Sequence, residues 1–146
     1  MITSEPVHGI SAPKAAVLAN ITYRQLDYWA RQGWVKPSLE AGVGRPGRRI
    51  YGPDDVVRLA ALGHFGRSGA DVGRFGPAIA DLEVGGVKGD YLLVGTSEGA
   101  IEVVPASNLR KRVSALGFCC VFDPAAVRAA LAPEGKQEPG AGRRSA

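Results

Sequence analysis

The strongest constraint on the fold lies between residues 21 and 62, where two helical patterns flank a segment rich in glycine and arginine. The first pattern begins at Thr22, which stands three residues before Gln25 as in a capping box, and it ends at Gly33. The second opens at Pro53, a residue that fits the first position of a helix. Prolines and glycines between the two exclude a continuous helix. The order of helix, basic loop and helix predicts a winged helix-turn-helix.

A shorter helix is predicted just before this block. Ser11 can cap a helix that runs to Ala19, and Asn20 tolerates the left-handed conformation that ends a helix. Only about three residues then separate this helix from the next, which is the turn length of a helix-turn-helix.

The helix that follows Thr22 is amphipathic. At 100° per residue, Leu26 and Trp29 fall on one side, while Arg24, Tyr28 and Arg31 fall on the other, with Asp27 beside them. Arginine in the first turn of a recognition helix suits guanine, because its fork matches two acceptors in the major groove. We therefore expect Arg24 to contact bases and Tyr28 and Arg31 to hold phosphates. A solvated helix face with no ligand is the alternative.

Charge is unevenly distributed along the chain. The 146 residues carry a formal net charge of +4, and residues 20–52 alone account for a net charge of that size. Val35 and residues 50–51 could be the two short strand stems of a hairpin around the glycine-rich loop 42–49. Three arginines of this block, Arg45, Arg48 and Arg49, lie in or beside that loop. A loop of this kind can lay arginines along phosphates or into a narrow minor groove. The alternative is a flexible basic loop without a ligand.

Beyond the basic loop, the sequence predicts two more helices and then a segment in which strands and helices alternate. A third helix buries Val56, Leu59, Ala60 and Gly63, and a fourth is interrupted at residues 76–77. A glycine-rich boundary follows at residues 85–86. Beyond it, strands and helices alternate, and a tail rich in proline, glycine and charge is expected to be disordered. The predicted elements are a helix over 71–82, strands over 91–94 and 101–104, a helix over 105–116, a strand over 118–122 and a helix from 123 to about 131.

Several other signals point to little chemistry. The motif Gly42-x-Gly44-x-x-Gly47 matches a dinucleotide fingerprint, but no strand precedes it and no helix opens from it, so nucleotide binding is not expected. Cys119 and Cys120 are adjacent and have no third ligand nearby, which argues against a metal sensor. We expect no cofactor, no metal and no enzymatic activity. The sequence has neither a signal peptide nor a transmembrane run, which predicts a cytoplasmic protein without membrane contact.

The block Thr22–Gly33, with its Thr-x-Arg start, central Tyr-aromatic pair and Arg-x-Gly end, resembles the second helix of MerR-type transcription regulators. Arg49-Ile50-Tyr51 followed by residues 55–59 is similar to that family's wing exit and third helix. The resemblance covers about residues 11–83, and the wording of residues 21–31 is most similar to actinobacterial regulators of the FtsR type. It implies that Thr22, Arg24 and Tyr28 contact DNA from the helix, and that Arg48, Arg49 and Tyr51 contact it from the wing.

The chain departs from this family beyond residue 84, where a small α/β segment replaces the usual long dimerisation helix. We therefore predict a mainly α N-terminal winged helix-turn-helix with a small α/β C-terminal segment. The predicted parts are a flexible arm at 1–10, a DNA-binding domain at 11–84, a C-terminal segment at 87–132 for dimerisation or for effector or protein binding, and a disordered tail at 133–146.

The predicted function is a sequence-specific regulator of transcription. Residues 23–33 would enter the major groove of double-stranded DNA, and the wing 42–49 would lie on the flanking backbone or the minor groove. A homodimer through the C-terminal segment would add the contacts of two subunits. Two alternatives stay open: an excisionase-like architectural factor that bends DNA, and a protein-interaction adaptor.

Overall fold

The computed structural model describes residues 9–39, 49–85, 87, 89–117 and 119–131. The arm up to residue 8, the loop 40–48 and the tail from residue 132 lie outside the described residues. The elements in chain order are β1 (Ile10–Ser11), α1 (Ala12–Ala19), α2 (Tyr23–Gln32), β2 (Ile50–Tyr51), α3 (Pro53–Arg67), α4 (Val72–Ala80), β3 (Tyr91–Thr96), β4 (Ile101–Pro105), a 3₁₀ turn (Ala106–Asn108), α5 (Leu109–Leu116), β5 (Cys119–Phe122) and α6 (Ala125–Leu131).

The turn between α1 and α2 has the predicted local structure. Asn20 ends α1 at φ 60°, a left-handed conformation that an asparagine adopts more readily than most residues. The Gln25 amide donates to Thr22 Oγ1 at 3.0 Å, and the Thr22 amide donates to Gln25 Oε1 at 2.9 Å, which completes the capping box. Gly33 ends α2 at φ 81°. Local signals therefore fix both ends of α2.

A small sheet joins the start of the chain to the segment before α3. β1 pairs antiparallel with β2, so that Ile10 faces Tyr51 and Ser11 faces Ile50. Leu39 forms an isolated antiparallel bridge with Ile50. Ile50 thus pairs with Ser11 on one side and with Leu39 on the other. The chain leaves this small sheet after Leu39 and re-enters it at Ile50. Val35, which the sequence suggested as a strand stem, is instead buried in the core.

The core is built around α3. Val56, Leu59, Ala60 and Gly63 are buried, as the sequence predicts. The helix continues through Gly63, where a β-carbon would stand 2.5 Å from Ile21 Cγ2. The missing side chain at this position lets the turn between α1 and α2 pack directly on α3. The helix cost of glycine is thereby offset by a close approach.

The predicted interruption of the fourth helix is wrong. α4 is capped by Asp71, whose Oδ1 accepts from the Gly73 amide at 3.0 Å, and it runs without a break through Pro77. The proline removes one helical hydrogen bond, the one that would reach the Gly73 carbonyl. Because Gly73 lies in the first turn and is exposed, this loss does not end the helix.

The C-terminal segment forms a three-stranded antiparallel sheet with the order β4-β3-β5. One face of the sheet packs on the helices: Leu93 and Phe122 belong to the same hydrophobic cluster as Phe65 and Phe75, whose rings lie 5.0 Å apart. A β-carbon on Gly95 would stand 2.8 Å from Phe75. The core is therefore continuous across the predicted boundary near residue 85.

No helix within the described ranges is long and apolar enough to cross a membrane.

Candidate nucleic-acid interface

The two sides of α2 have opposite chemistry. Leu26 and Trp29 are buried against the core. Arg24, Tyr28 and Arg31 lie on the other side at spacings of four and three residues, and all three are exposed. This separation follows from the 3.6-residue period of the helix. The exposed side of α2, together with Arg49, is called the basic face below.

Asp27 connects α2 to the segment before β2. Its Oδ1 accepts from Arg49 Nη1 at 2.8 Å, and its Oδ2 lies 2.8 Å from Arg31 Nη2. The side chain of Arg31 is 70% exposed, whereas those of Asp27 and Arg49 are each 27% exposed. Arg49 is thus held beside the middle of α2, although 22 residues separate it from Asp27 in the chain.

These contacts shift the titration of both partners. The hydrogen bond from Arg49 holds the pKa of the Asp27 carboxyl below its usual value, partial burial opposes this, and the charge of Arg31 adds to the lowering. The same hydrogen bond raises the pKa of Arg49. Near neutral pH the face therefore holds an ionised carboxylate between two guanidinium groups.

Tyr28 is held by an aromatic contact. Its ring meets that of Trp34 edge to face, with centroids 6.0 Å apart and planes at 90°. Tyr28 is nevertheless 52% exposed, so about half of the residue remains accessible to an external partner. An aromatic pair of this geometry restrains the ring without covering it.

The two residues at the start of α2 differ in their local contacts. Thr22 is exposed, and its hydroxyl is engaged in the cap of α2. Arg24, in the first turn, has no ion pair with any described residue and is exposed. Arg24 is thus available to an external partner, whereas the Thr22 hydroxyl already accepts a backbone hydrogen bond.

Of the residues predicted for the wing, the structure describes some and not others. Arg45 and Arg48 lie outside the described residues, as does the tip of the predicted wing 42–49. Tyr51 corrects the expectation from the resemblance, because it is 0% exposed and its side chain is closed off from any external partner. The alternation of strand residues explains this: Tyr51 and Ile50 point to opposite sides of β2, and Tyr51 points into the core.

The Tyr51 hydroxyl is buried and has no hydrogen-bond partner among the described residues. Burial raises the pKa of Tyr51 to about 12, with smaller opposing and reinforcing effects from Arg49 and Asp55. The side chain stays protonated at neutral pH.

Tyr23 is a second exposed aromatic residue of α2, which the sequence pattern did not single out as a contact residue. It is the first residue of α2 and is 52% exposed. Its phenol is close enough to Arg49 to be among the smaller causes of the raised pKa of that arginine. The available signal was its position directly after the N-cap, where side chains usually face solvent.

Other candidate sites remain unremarkable within the parts of the chain that the structure describes. Cys119 and Cys120 are free, partly buried and adjacent on β5, which puts them on opposite faces of the sheet. No group of three His, Cys, Asp or Glu side chains among the described residues could hold a metal ion. The glycine motif 42–47 lies wholly outside those residues. Arg112 on α5 forms a two-point fork with Glu102 at 2.6 and 2.7 Å.

Comparison with known proteins finds matches to the N-terminal part of the chain. Residues 10–71 match the model of the MerR HTH family regulatory proteins. Over 80 residues the chain is 35% identical to an uncharacterized HTH-type transcriptional regulator of Mycobacterium bovis, and equally to counterparts in two strains of Mycobacterium tuberculosis. The aligned part is 55% of this chain and 36% of each relative, so the chain spans about a third of their length. The resemblance predicted from residues 22–33 is confirmed.

Proposed function

We propose, from the MerR-family helix-turn-helix domain at residues 10–71, that this chain is a sequence-specific regulator of transcription that binds double-stranded DNA. The observation that carries the proposal is the basic face: Arg24, Tyr28 and Arg31 are exposed on one side of α2, and Arg49 is held against that side by Asp27. A polyanion of regular shape is the partner that such a convergence of cations suits.

The mode of binding follows from the chemistry of each position. Arg24 lies in the first turn of α2, where recognition helices contact base edges, and its guanidinium fork suits guanine in the major groove. Arg31 and Arg49 lie further along the helix and beside it, where phosphates flank the groove. Residues 23–33 would enter the groove, with Thr22 at its edge and Tyr28 contacting the backbone.

A wing would complete the surface. The antiparallel bridge between Leu39 and Ile50 brings together the two ends of the intervening chain, as in a hairpin. Arg45 and Arg48 belong to that chain segment, and Arg49 stands at its exit. We place this wing on the backbone or minor groove next to the recognition helix, where arginine is favoured by the narrow groove.

The C-terminal segment would have a separate task. With residues 11–84 as the DNA-binding part, residues 87–132 remain for dimerisation or for an effector or protein partner. The outer strands β4 and β5 of its sheet each have one strand neighbour among the described residues. Pairing of two chains would place two recognition helices on successive turns of the duplex and add their affinities. Light scattering that shows a monomer both free and on DNA would exclude this dimer.

Selection of bound fragments from random duplex DNA tests the proposed function. We expect a recurring sequence that binds on the order of a thousandfold more tightly than random duplex at physiological salt. Both affinities should fall as salt rises, because phosphate contacts release counterions. Ordered site arrays with a large bend would indicate an architectural factor instead. Salt-resistant binding to a protein, with none to duplex DNA, would indicate an adaptor.

A further inference from the structure

Asp27 is the sole acidic residue of α2, and it lies in the middle of the basic face. It follows Arg24 by three residues and precedes Arg31 by four, so all three share one side of the helix. A carboxylate at this position repels a polyanion that approaches the face. Its presence is therefore costly for DNA binding unless it contributes something else.

The contacts of Asp27 resemble those of a bound phosphate. Each carboxylate oxygen lies 2.8 Å from a guanidinium nitrogen, one from Arg31 and one from Arg49. A DNA phosphate also presents anionic oxygens that accept hydrogen bonds from arginine guanidinium groups. We propose that Asp27 is a specificity-determining residue, which occupies in the free protein the place that a DNA phosphate takes between Arg31 and Arg49. This inference rests on the proposed DNA-binding function.

A purely stabilising role accounts poorly for the arrangement. The Arg31 side chain is 70% exposed, and an ion pair that exposed contributes little to folding. The pair with Arg49 is less exposed and does position that arginine. What Asp27 chiefly changes is the availability of two guanidinium groups to an incoming anion.

Competition by Asp27 would act unequally on different DNA sequences. On any duplex, phosphates must displace or share the two arginines that Asp27 already holds. On the preferred sequence, base contacts such as those of Arg24 add to the phosphate contacts, whereas on other sequences nothing offsets the competition. Specificity is a difference between two affinities, and weakening the unwanted one raises it. Asp27 would thus suppress non-specific binding.

The test compares full-length Asp27→Asn with the parent protein on the selected duplex and on a random duplex. The amide keeps the size of the side chain but removes its charge. Glu98→Gln is the matched control, because it removes one negative charge from the exposed turn between β3 and β4, away from α2. Asp27→Glu restores the charge on a longer arm. Thermal unfolding of each variant confirms folding.

We expect Asp27→Asn to bind random duplex roughly threefold to thirtyfold more tightly and to steepen its salt dependence by about one released counterion. The ratio of selected to random affinity should fall, Glu98→Gln should leave it unchanged, and Asp27→Glu should recover most of it. Equal changes in Asp27→Asn and Glu98→Gln would overturn the inference, and so would equal losses on both duplexes. Failure of the parent protein to bind any duplex would instead refute the proposed function, and this inference with it.

Discussion

The indole ring of Trp34 lies against the backbone of Gly76, so closely that a β-carbon at residue 76 would stand 2.2 Å from Trp34 Cδ2. The same indole meets the Tyr28 ring edge to face. Trp34 therefore connects α4 to the exposed side of α2. This contact, which only a glycine at residue 76 allows, supports the C-terminal end of the proposed recognition helix.

Replacement of Gly76 by alanine should destabilise the protein. The rigid indole cannot move aside without disturbing Tyr28, and overpacking of this kind costs about 1–3 kcal/mol of unfolding free energy. Urea denaturation measures the loss. Gly73→Ala is the matched control on the same helix, where the nearest neighbour of a new β-carbon is the flexible Asp71 carboxylate at 3.3 Å. Equal stabilities of the two variants would contradict the account.

Loss of the Asp55 side chain should destabilise the fold far more than loss of the neighbouring Asp54 side chain. Its Oδ2 accepts from the Ser38 amide, the Ser38 hydroxyl and the Gly52 amide at 2.6–2.9 Å, and its Oδ1 accepts from Arg58 at 3.1 Å. Asp55→Ala removes the acceptor of these four hydrogen bonds, one of whose donors, the Gly52 amide, belongs to a buried residue, and should cost about 2–4 kcal/mol of unfolding free energy.

Asp54→Ala is the control for this prediction, because both acids lie in the first turn of α3 and complement the same helix dipole. Its cost should stay below about 1 kcal/mol in the same denaturation experiment. Losses of similar size in both variants would show that the dipole, rather than the Asp55 hydrogen bonds, is what the acids provide.

Tyr51→Phe should leave both folding and DNA binding intact. The hydroxyl is buried without a partner among the described residues, so its removal should keep the unfolding free energy or raise it by about 1 kcal/mol. Affinity for the selected duplex should not change, whereas Tyr28→Phe removes the hydroxyl of an exposed residue and should weaken binding. A tenfold loss of affinity in Tyr51→Phe would return Tyr51 to the DNA-binding surface.

The fork between Glu102 and Arg112 should make stability depend on acidity. The Arg112 hydrogen bond holds the pKa of the Glu102 carboxyl below its usual value. A lowered pKa stabilises the folded protein above that value and ceases to do so as pH falls through the folded-state pKa. Glu102→Gln should therefore be slightly less stable than the parent at pH 7 and equal to it near pH 2. A difference that persists at pH 2 would contradict this origin.

Elements whose ends are marked by local capping or helix-stopping residues could be predicted from the sequence. Asn20, the Thr22–Gln25 box and Gly33 set the ends of α1 and α2, and Pro53 sets the start of α3. Each of these signals acts within one helical turn, so no tertiary information is needed. The order of strands and helices after residue 90 was predicted for the same reason.

Features that depend on contacts between distant residues could not be predicted in this way. The two-residue strand β2 is too short for its own pattern to show which side faces the core, so it could not correct the DNA contact that the resemblance implies for Tyr51. Leu39, not Val35, bridges Ile50, because the pairing register depends on residues distant in the chain and is not contained in the local pattern. Asp27 pairs with Arg49 as well as with Arg31, and the contact with Arg49 is one that the helical wheel of α2 cannot contain.

The most direct measurement of the central claim is the affinity of Arg24→Ala for the selected duplex and for a random duplex. Arg110→Ala on the exposed surface of α5 is the control, because it removes the same charge elsewhere. We expect a loss of about 1–3 kcal/mol for Arg24→Ala on the selected duplex, a much smaller loss on random duplex, and little change for Arg110→Ala on either. Equal losses for Arg24→Ala on both duplexes, or matching losses in the two variants, would contradict the central claim.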